Sequence, residues 1–318
     1  MKKIAILVFF TVGFFVHVWA CTGLIAGKQA TVDGSVLVTY SADSHTLYGA
    51  LTSSPAADWP KGSMRSIVEW DTNKPLGEIE QVEHTYAVIG NMNEHQLTVV
   101  ESTWGGRPEL VDTTGIIDYG SLMQLALERA KTAREAIKVM TGLVKKYGYY
   151  SSGESFTIAD PNEAWILDLI GKGPGRRGAV WVAVRIPDDC IAGHANYPRI
   201  HKIPMEDKEN CLYSPDVISF AREMGYFDGL NKDFSFARAY SPADFGALRA
   251  CDARVWSFFR KYDSTMDNYL PYVNGESAEP FPLYVKPSRK LSVQDMKEAM
   301  RDHFEDTPFD MTQDVGAG

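Results

Sequence analysis

Short runs of β-branched and apolar residues fill the first half of the chain and predict strands. They are bounded by turn residues, and Asp33-Gly34 marks a tight turn between the first two runs. Each run is five or six residues long, which is typical of a strand in a globular protein. The predicted strands in this half are residues 22–26, 35–40, 65–70, 85–89 and 97–101.

Apolar residues then recur at helical spacing, and later the strand pattern returns. Thr132 and Glu135 have the spacing of a capping box, and Ser292 and Asp295 fit a cap at the last helix. Hairpins followed by helices and then hairpins again favour an α+β fold with antiparallel sheets over a doubly wound parallel sheet. The predicted helices are residues 121–130, 132–146, 214–224, 242–261 and 292–304, and the further strands are 155–159, 164–170 and 179–186.

A glycine-rich segment imitates a nucleotide-binding motif. Gly173-Pro-Gly175-Arg-Arg-Gly178 matches Gly-x-Gly-x-x-Gly, but that motif must follow a strand and open a helix. Residues 179–186 have a strand pattern instead, so the segment is predicted to be a hairpin loop.

Composition and charge exclude several classes of protein. The 318 residues are 45% hydrophobic and 23% charged, which is ordinary for one large or two smaller globular domains. A net charge of −9 argues against a nucleic-acid partner, since phosphate contacts need clustered Lys and Arg. The seven histidines show no metal-ligand spacing and there is no Cys-x-x-Cys, so no metal or cofactor is expected. The four cysteines are Cys21, Cys190, Cys211 and Cys251.

The N-terminus has the pattern of a secretory signal peptide. Lys2 and Lys3 precede the apolar stretch 4–19, and the small residue Ala20 precedes Cys21. The stretch is short for a membrane span of about 20 residues, which leaves an N-terminal anchor helix as the alternative. We therefore predict a leader at residues 1–20 and an exported mature chain, 21–318, that is periplasmic or secreted and not stably inserted in a membrane. The sequence leaves a homo-oligomer open.

Cleavage after Ala20 would make Cys21 the first residue. It would then carry both a thiol and a free α-amine, and such an amine titrates near about 7.7–8.0. A neighbouring amine can accept the thiol proton, so no separate catalytic histidine is needed. The alternative is a lipid-anchored binding protein in which Cys21 carries lipid, although the bulky Trp19 fits a lipoprotein signal poorly.

The segment that follows resembles a known family. Cys-Thr-Gly-Leu-Ile-Ala-Gly at residues 21–27, continuing to Asp-Gly-Ser at 33–35, is similar to the start of cysteine dipeptidases of the N-terminal-nucleophile hydrolase superfamily, of the dipeptidase A and secernin type. Bile salt hydrolases and penicillin V acylases are similar more distantly. Further family-like blocks lie at residues 153–156, 163–167, 195–198 and 307–310.

The resemblance implies a fold and a function. The fold is a four-layer αββα sandwich over residues 21–318, with the nucleophile at the start of a sheet strand. The substrates are short peptides, most simply dipeptides, and a bile salt or N-acyl amide hydrolase with the same centre is the alternative. Family members are longer and the chain ends inside a family-like block, so truncation at the C-terminus is expected.

Three further positions match residues that the resemblance assigns to the site. Asp43 follows the second strand and would contact the cysteine amine, with an ordinary turn aspartate as the alternative. Asn196 belongs to Asn-Tyr-Pro and would bind the oxyanion, unless it is only a turn residue. Arg254 would support the thiolate from a helix, with Arg249 and Arg260 as its alternatives.

The sequence departs from the related acylases at two positions near the site. Tyr40 stands where those relatives often carry an arginine, so a cation near the nucleophile is absent. The asparagine that supplies their second oxyanion donor would fall near Thr103.

Overall fold

The computed structural model describes residues 20–43 and 49–313. The predicted leader up to residue 19 and the chain after residue 313 lie outside the described residues. Within them, the fold is α+β, and every pairing between the strands named below is antiparallel. The antiparallel α+β class predicted from the sequence is therefore confirmed.

The strands form two principal sheets. The four-stranded sheet has the order β16-β14-β1-β2, the eight-stranded sheet has the order β15-β13-β12-β11-β10-β9-β8-β3, and β4-β7 and β5-β6 form two small sheets. In chain order the strands are β1 (Ala20–Ala26), β2 (Leu37–Asp43), β3 (Ser53–Ser54), β4 (Ala57–Asp58), β5 (Met64–Val68), β6 (Pro75–Glu80), β7 (His84–Thr85), β8 (Val88–Ile89), β9 (Met92–Asn93), β10 (Thr98–Gly105), β11 (Gly153–Ala159), β12 (Ala164–Gly171), β13 (Ala179–Ile186), β14 (Ile191–His194), β15 (Cys211–Tyr213) and β16 (Tyr284–Val285).

Side chains cap most of the predicted helices at their N-termini. Asp118 accepts from Ser121 N, Thr132 accepts from Glu135 N, and Ser292 forms a reciprocal capping box with Asp295. None of the described helices is long and apolar enough to span a membrane. The helices are α1 (Tyr119–Arg129), α2 (Ala133–Tyr147), α3 (Val217–Glu223), α4 (Phe236–Tyr240), α5 (Ala253–Arg260), α6 (Leu270–Val273) and α7 (Val293–Ala299).

Three hydrophobic clusters join these elements. The first packs α1 and α2 on the eight-stranded sheet, for example Leu125 and Met140 against Leu167. The second includes Ile25 and Ala192 of the four-stranded sheet together with side chains of the eight-stranded sheet and α3. The third packs α5 and α7 on the four-stranded sheet, where Leu24 and Trp256 are both buried. Consecutive residues of β1 therefore face different cores, which is the alternation expected of a strand.

His194 links the two principal sheets. Its ring nitrogens lie 2.7 Å from Ser102 Oγ and 2.9 Å from Thr157 Oγ1, both in the eight-stranded sheet. Burial, with two nearby arginines, lowers the pKa of His194 to about 3, so the ring is neutral. A Cβ at Gly23, which pairs with His194 across β1 and β14, would lie 2.8 Å from this ring. Only glycine leaves room for the close approach at that position.

Two segments test the details of the sequence prediction. The glycine-rich segment 173–178 joins β12 to β13, so the predicted hairpin loop is confirmed. The predicted single helix at residues 242–261 is wrong in detail, because a π-helical segment (Ala247–Asp252) precedes α5. Such π-turns change the direction of the side chains that follow, and they are frequent near functional sites.

Candidate active site

Cys21 lies at the start of β1, in the centre of the four-stranded sheet. It pairs with Ala42 of β2, and Gly23 two residues later pairs with His194 at the end of β14. The chain leaving β14 therefore runs past Cys21. The cysteine side chain is only 2% exposed, whereas Ala42 and Asp43 at the end of β2 are exposed, so the thiol lies just beneath the surface.

Asn196 holds the backbone nitrogen of Cys21. Its Oδ1 accepts a hydrogen bond of 2.7 Å from Cys21 N, and its Nδ2 donates one of 2.5 Å to the carbonyl oxygen of Thr103. The residue has a φ of 53°, a left-handed conformation that asparagine tolerates better than most residues. The structure thus places the predicted oxyanion residue beside Cys21 and against the nitrogen that leader removal would turn into an amine.

Arg254 of α5 reaches the same cluster from the helix side of the sheet. Its Nη1 donates to the Cys21 carbonyl oxygen at 2.7 Å and to Thr22 Oγ1 at 2.8 Å, and its Nη2 donates to Asn196 Oδ1 at 2.8 Å. Its contacts are with the backbone of the cysteine and with Asn196. The arginine therefore ties β1 to the segment after β14, which fixes the orientation of the Asn196 amide.

The two alternative arginines lie elsewhere. Arg249 packs over the ring of Phe309 at 3.5 Å, and Arg260 is paired with Asp267 at 2.6 Å. Of the three candidates, Arg254 is the one whose described hydrogen bonds include Cys21.

A buried ion pair supports the segments that carry Asn196 and Arg254. Arg199 and Asp252 are both fully buried and are joined by hydrogen bonds of 3.0 Å, and Tyr272 donates a third hydrogen bond to Asp252. Arg199 lies three residues after Asn196, and Asp252 lies two residues before Arg254. Because a buried charge without its partner is costly, this pair holds the two segments in a fixed relation.

Asp43 contacts the cysteine through its backbone. It is the last residue of β2, pairs with Ala20, and is exposed. Its backbone lies close enough to Cys21 to lower the pKa of the thiol. Among the described residues, the hydrogen bond to the Cys21 nitrogen comes from Asn196 and not from the Asp43 carboxylate. The structure thus brings all four predicted residues together, with Asp43 attached by its main chain.

Two buried glutamates that the sequence analysis did not single out face the thiol. Glu101 of β10 lies close enough to the Cys21 thiol for the two groups to shift each other's pKa, and its Oε1 accepts from Tyr40 at 2.5 Å. Glu154 of β11 accepts from Thr103 Oγ1 at 2.6 Å. Strand register explains the arrangement, since Thr103 pairs with Glu154 and Glu101 lies on the same face two residues earlier.

The two glutamates interact electrostatically, since each is among the groups that shift the pKa of the other. A protonated carboxyl group can donate to a neighbouring carboxylate, so the pair is able to hold a single proton between them. Burial raises the pKa of both, and the charge of Glu101 raises the pKa of Glu154 further. Burial also raises the pKa of the Cys21 thiol well above its usual range, and the charges of Glu101 and Glu154 add to that effect.

Replacing Glu154 with glutamine tests this shared proton through stability. A carboxyl group whose pKa is raised by folding stabilises the protein below its unfolded pKa, and this stability is lost as pH rises through the folded pKa. Glutamine can accept from Thr103 and donate to Glu101 without a proton to lose. We expect Glu154→Gln to exceed the wild type in free energy of unfolding by about 1 kcal/mol or more near pH 8, with a smaller difference near about pH 5.

Urea denaturation across this pH range measures the effect. Glu128→Gln is the matched control, because Glu128 is also buried but is paired with Arg65. Glu128→Gln should not increase the free energy of unfolding at high pH. Parallel stability curves for the wild type and Glu154→Gln would show that Glu154 carries no extra proton.

The sequence contained a weak signal for the glutamates. Glu101 ends a run of β-branched residues, and a charged side chain inside a buried strand is unusual unless it is paired or functional. The partnership with Glu154 could not be inferred, because it depends on the register of two strands about 50 residues apart in sequence. The described residues contain no cluster of three or more side chains that could hold a metal ion.

Comparison with known proteins gives a consistent assignment. A probable dipeptidase of Salmonella dublin is 28% identical, over 92% of this chain and 68% of its own length. A probable dipeptidase of Latilactobacillus sakei is 25% identical, over 92% of this chain and 62% of its own, and dipeptidase A of Lactobacillus helveticus is 25% identical, over 93% and 64%. The chain thus spans 62% to 68% of the length of these relatives. The model of peptidase family C69 matches residues 20–318, and the chain belongs to that family.

Proposed function

We propose that the protein is an exported cysteine dipeptidase whose nucleophile is the N-terminal Cys21, exposed by removal of residues 1–20. Membership of peptidase family C69 and the dipeptidase names of its relatives support the reaction class. One observation carries the mechanism. The nitrogen of Cys21 is held by Asn196 Oδ1 at 2.7 Å while the thiol of the same residue faces a separate, buried group, so both atoms are fixed in the same site.

The proposed fold is the four-layer αββα sandwich of the N-terminal-nucleophile hydrolases. The packing supports it, because α1 and α2 cover the eight-stranded sheet and α5 and α7 cover the four-stranded sheet. Side chains of both sheets meet in the remaining cluster. Cys21 then occupies the expected place at the start of an inner strand.

The first chemical step is activation of the thiol. In the processed protein the neutral α-amine of Cys21 takes the thiol proton, and the sulfur attacks the carbonyl carbon of the peptide bond. Burial and the neighbouring carboxyl charge hold the pKa of this thiol high, so little thiolate exists before the amine acts. The thiol therefore needs a base, and the α-amine that leader removal would create on the same residue is the base we propose.

The second step is stabilisation and collapse of the tetrahedral intermediate. One N–H of Asn196 Nδ2 is directed to Thr103 O, and the amide lies close enough to the Cys21 sulfur to lower the pKa of the thiol, which supports Asn196 as the donor beside the point of attack. The protonated α-amine then gives its proton to the leaving amine, and the C–N bond breaks. Water attacks the resulting thioester after losing a proton to the same amine, which releases the acid and restores the thiol.

Asn196→Gly should lower the turnover number by about 100- to 1000-fold with little change in ground-state binding, the usual result of losing an oxyanion donor. Glycine is the appropriate replacement because it keeps the φ of 53° without strain. Asn73→Gly is the matched control, since Asn73 is exposed, has a φ of 59°, and has no described hydrogen bond to Cys21 or Asn196. Steady-state kinetics on the best dipeptide measure both parameters. An unchanged turnover number would reduce Asn196 to a structural turn residue.

A substrate panel tests the proposed function directly. The processed protein is assayed with dipeptides, with N-acyl amides and with bile salt conjugates, and iodoacetamide-treated protein serves as the blank. We expect hydrolysis of dipeptides that is lost on alkylation. Hydrolysis of acyl amides or bile salts alone would assign the same centre to the acylase alternative.

The lipid-anchored alternative is tested separately. Mass spectrometry of the N-terminus of protein isolated from its natural host distinguishes a free Cys21 from a lipidated, blocked one. The proposed mechanism requires the first outcome, because an acylated nitrogen at Cys21 cannot accept the thiol proton. A lipidated cysteine together with absence of any amidase activity would favour a binding protein.

A further inference from the structure

The side chains that face the Cys21 thiol are anionic and have no protein cation opposite them. No salt bridge in residues 20–43 and 49–313 includes Glu101 or Glu154. Tyr40, at the position where the related acylases often carry arginine, donates its hydroxyl to Glu101 instead. A third carboxylate, Asp71, is near enough for its charge to raise the pKa of both glutamates. The thiol side of the site therefore carries net negative charge.

The nearest arginine does not neutralise this charge. Arg254 directs its Nη atoms to the Cys21 carbonyl, Thr22 and the segment at Asn196, on the helix side of the sheet. Its described hydrogen bonds thus serve the backbone around Cys21 and leave the two glutamates without a cation.

Within the part of the chain that the structure describes, each of the two glutamates also has one carboxyl oxygen without a hydrogen-bond donor. Glu101 is 2% exposed and Glu154 is fully buried, and the Oε2 atom of each has no donor from another side chain or from the backbone in the described structure. Buried polar atoms without partners are costly, and in native proteins they often mark a site that a ligand completes. A single shared proton supplies one donor to these oxygens, whereas an ammonium group supplies three N–H donors and a positive charge.

The geometry of a dipeptide brings its own ammonium to this place. The α-nitrogen of the first residue is separated from the scissile carbonyl carbon by one carbon atom only. Attack requires the sulfur to come within about 3–3.5 Å of that carbon. Glu101 lies on the same strand as Thr103, whose carbonyl is held by the residue that binds the Cys21 nitrogen, and its carboxyl group is close enough to the thiol to shift the thiol pKa. A group one carbon away from the attacked carbonyl therefore lies within reach of this carboxylate.

We propose that Glu101 and Glu154 form the binding site for the α-ammonium group of the substrate, and that the enzyme therefore acts on peptides with a free N-terminus. This inference rests on the proposed function, since it assumes that Cys21 attacks the first peptide bond. The carboxyl pair carries one negative charge while it shares a proton, which matches the single positive charge of the ammonium. An N-acylated peptide brings no cation and leaves the pair uncompensated.

Binding of the ammonium would also help to activate the nucleophile. The charges of Glu101 and Glu154 hold the Cys21 thiol in its protonated form, in addition to the effect of burial. A bound ammonium offsets these charges and lowers the cost of forming a thiolate beside them. The same contact thus couples recognition of a correct substrate to reactivity of the thiol.

Kinetics on matched substrates test the proposal. A dipeptide and its N-acetyl derivative are compared with the processed wild type, and we expect kcat/KM to be about 100-fold or more higher for the free dipeptide, as for other buried charge pairs. Glu101→Gln should lower kcat/KM for the free dipeptide by a similar factor but should not lower it for the acetylated one, because loss of the carboxylate charge eases ionisation of the thiol. Glu154→Gln, expected to fold at least as stably as the wild type, should reduce the preference in the same direction. Glu128→Gln should change neither substrate.

A binding measurement separates recognition from turnover. Cys21→Ser keeps a hydroxyl that can donate to Glu101, so calorimetry with this variant reports affinity without hydrolysis. The free dipeptide should bind about 100-fold more tightly than its acetyl derivative, and adding Glu101→Gln should remove the difference. If the free dipeptide binds more tightly in this way but the wild type hydrolyses no dipeptide, the ammonium site is supported and the dipeptidase function is contradicted.

Two results would overturn the inference. The first is a wild type that binds and hydrolyses the acetylated dipeptide as well as the free one. The second is an equal loss on both substrates in Glu101→Gln, which would assign Glu101 to proton transfer at the thiol or to the enzyme's own α-amine.

Discussion

Cys21→Ser will lower the turnover number for dipeptides by roughly 1000-fold or more while leaving the fold intact, as expected when a nucleophile is replaced. A serine hydroxyl is a far weaker acid than a thiol, and a single α-amine without a second base activates it poorly. The surroundings make the loss larger, because burial and the adjacent Glu101 already oppose ionisation at this position. The substitution changes one buried atom, so packing around β1 should survive.

Cys211→Ser is the control for replacing a buried, unbridged cysteine. Cys211 is 1% exposed, against 2% for Cys21, and both thiols are free. Steady-state kinetics and circular dichroism on both variants measure the effect, and only Cys21→Ser should lose activity. Wild-type turnover in Cys21→Ser would remove the cysteine from the mechanism.

The parts of the site that lie on one local segment could be predicted from the sequence. The position after a leader-like segment points to Cys21, and Asn-Tyr-Pro points to Asn196. In the structure the backbone nitrogen of Cys21 lies 2.7 Å from Asn196 Oδ1. The resemblance favoured Arg254 over Arg249 and Arg260, but it could not give the direction of the Arg254 side chain. The π-helical segment before α5 sets the direction of that side chain, and no periodicity in the sequence reveals such a turn.

The carboxyl pair shows where sequence reasoning stops. Glu101 and Glu154 come from different strands and meet only because β10 and β11 pair with Thr103 opposite Glu154. A shift of that register by one residue would turn Glu154 to the other face of the sheet. The absence of an arginine at Tyr40 was visible in the sequence, but its consequence was not, since the hydroxyl of Tyr40 reaches Glu101 across the two sheets.

The short strands were also missed for a physical reason. β14 has four residues, including Gly193, and its pattern is too short to show alternation. It is nevertheless the neighbour of β1 that carries Asn196 to Cys21. Pairing with a long central strand stabilises it, so its existence depends on tertiary context and not on its own propensity.

A form of the protein that retains Ala20 before Cys21 will show no measurable dipeptidase activity, whereas the form starting at Cys21 will be active. In the chain with Ala20, the Cys21 nitrogen is an amide whose N–H donates to Asn196 Oδ1 at 2.7 Å. An amide nitrogen cannot accept the thiol proton. Removal of Ala20 turns it into an amine that titrates near about 7.7–8.0, so activity of the processed form should rise across that range.

The two forms can be compared at equal concentration after their N-termini are verified by mass spectrometry. The same comparison should be made for alkylation of Cys21 by iodoacetamide, which reports the thiolate directly. In the form with Ala20, burial and the charge of Glu101 keep the thiol protonated. Because this form has no α-amine that could accept the thiol proton, alkylation should be slow up to alkaline pH. Full activity of that form would exclude the α-amine as the base. Glu101, whose carboxyl group is close enough to the thiol to shift its pKa, would then be the group that must take the proton.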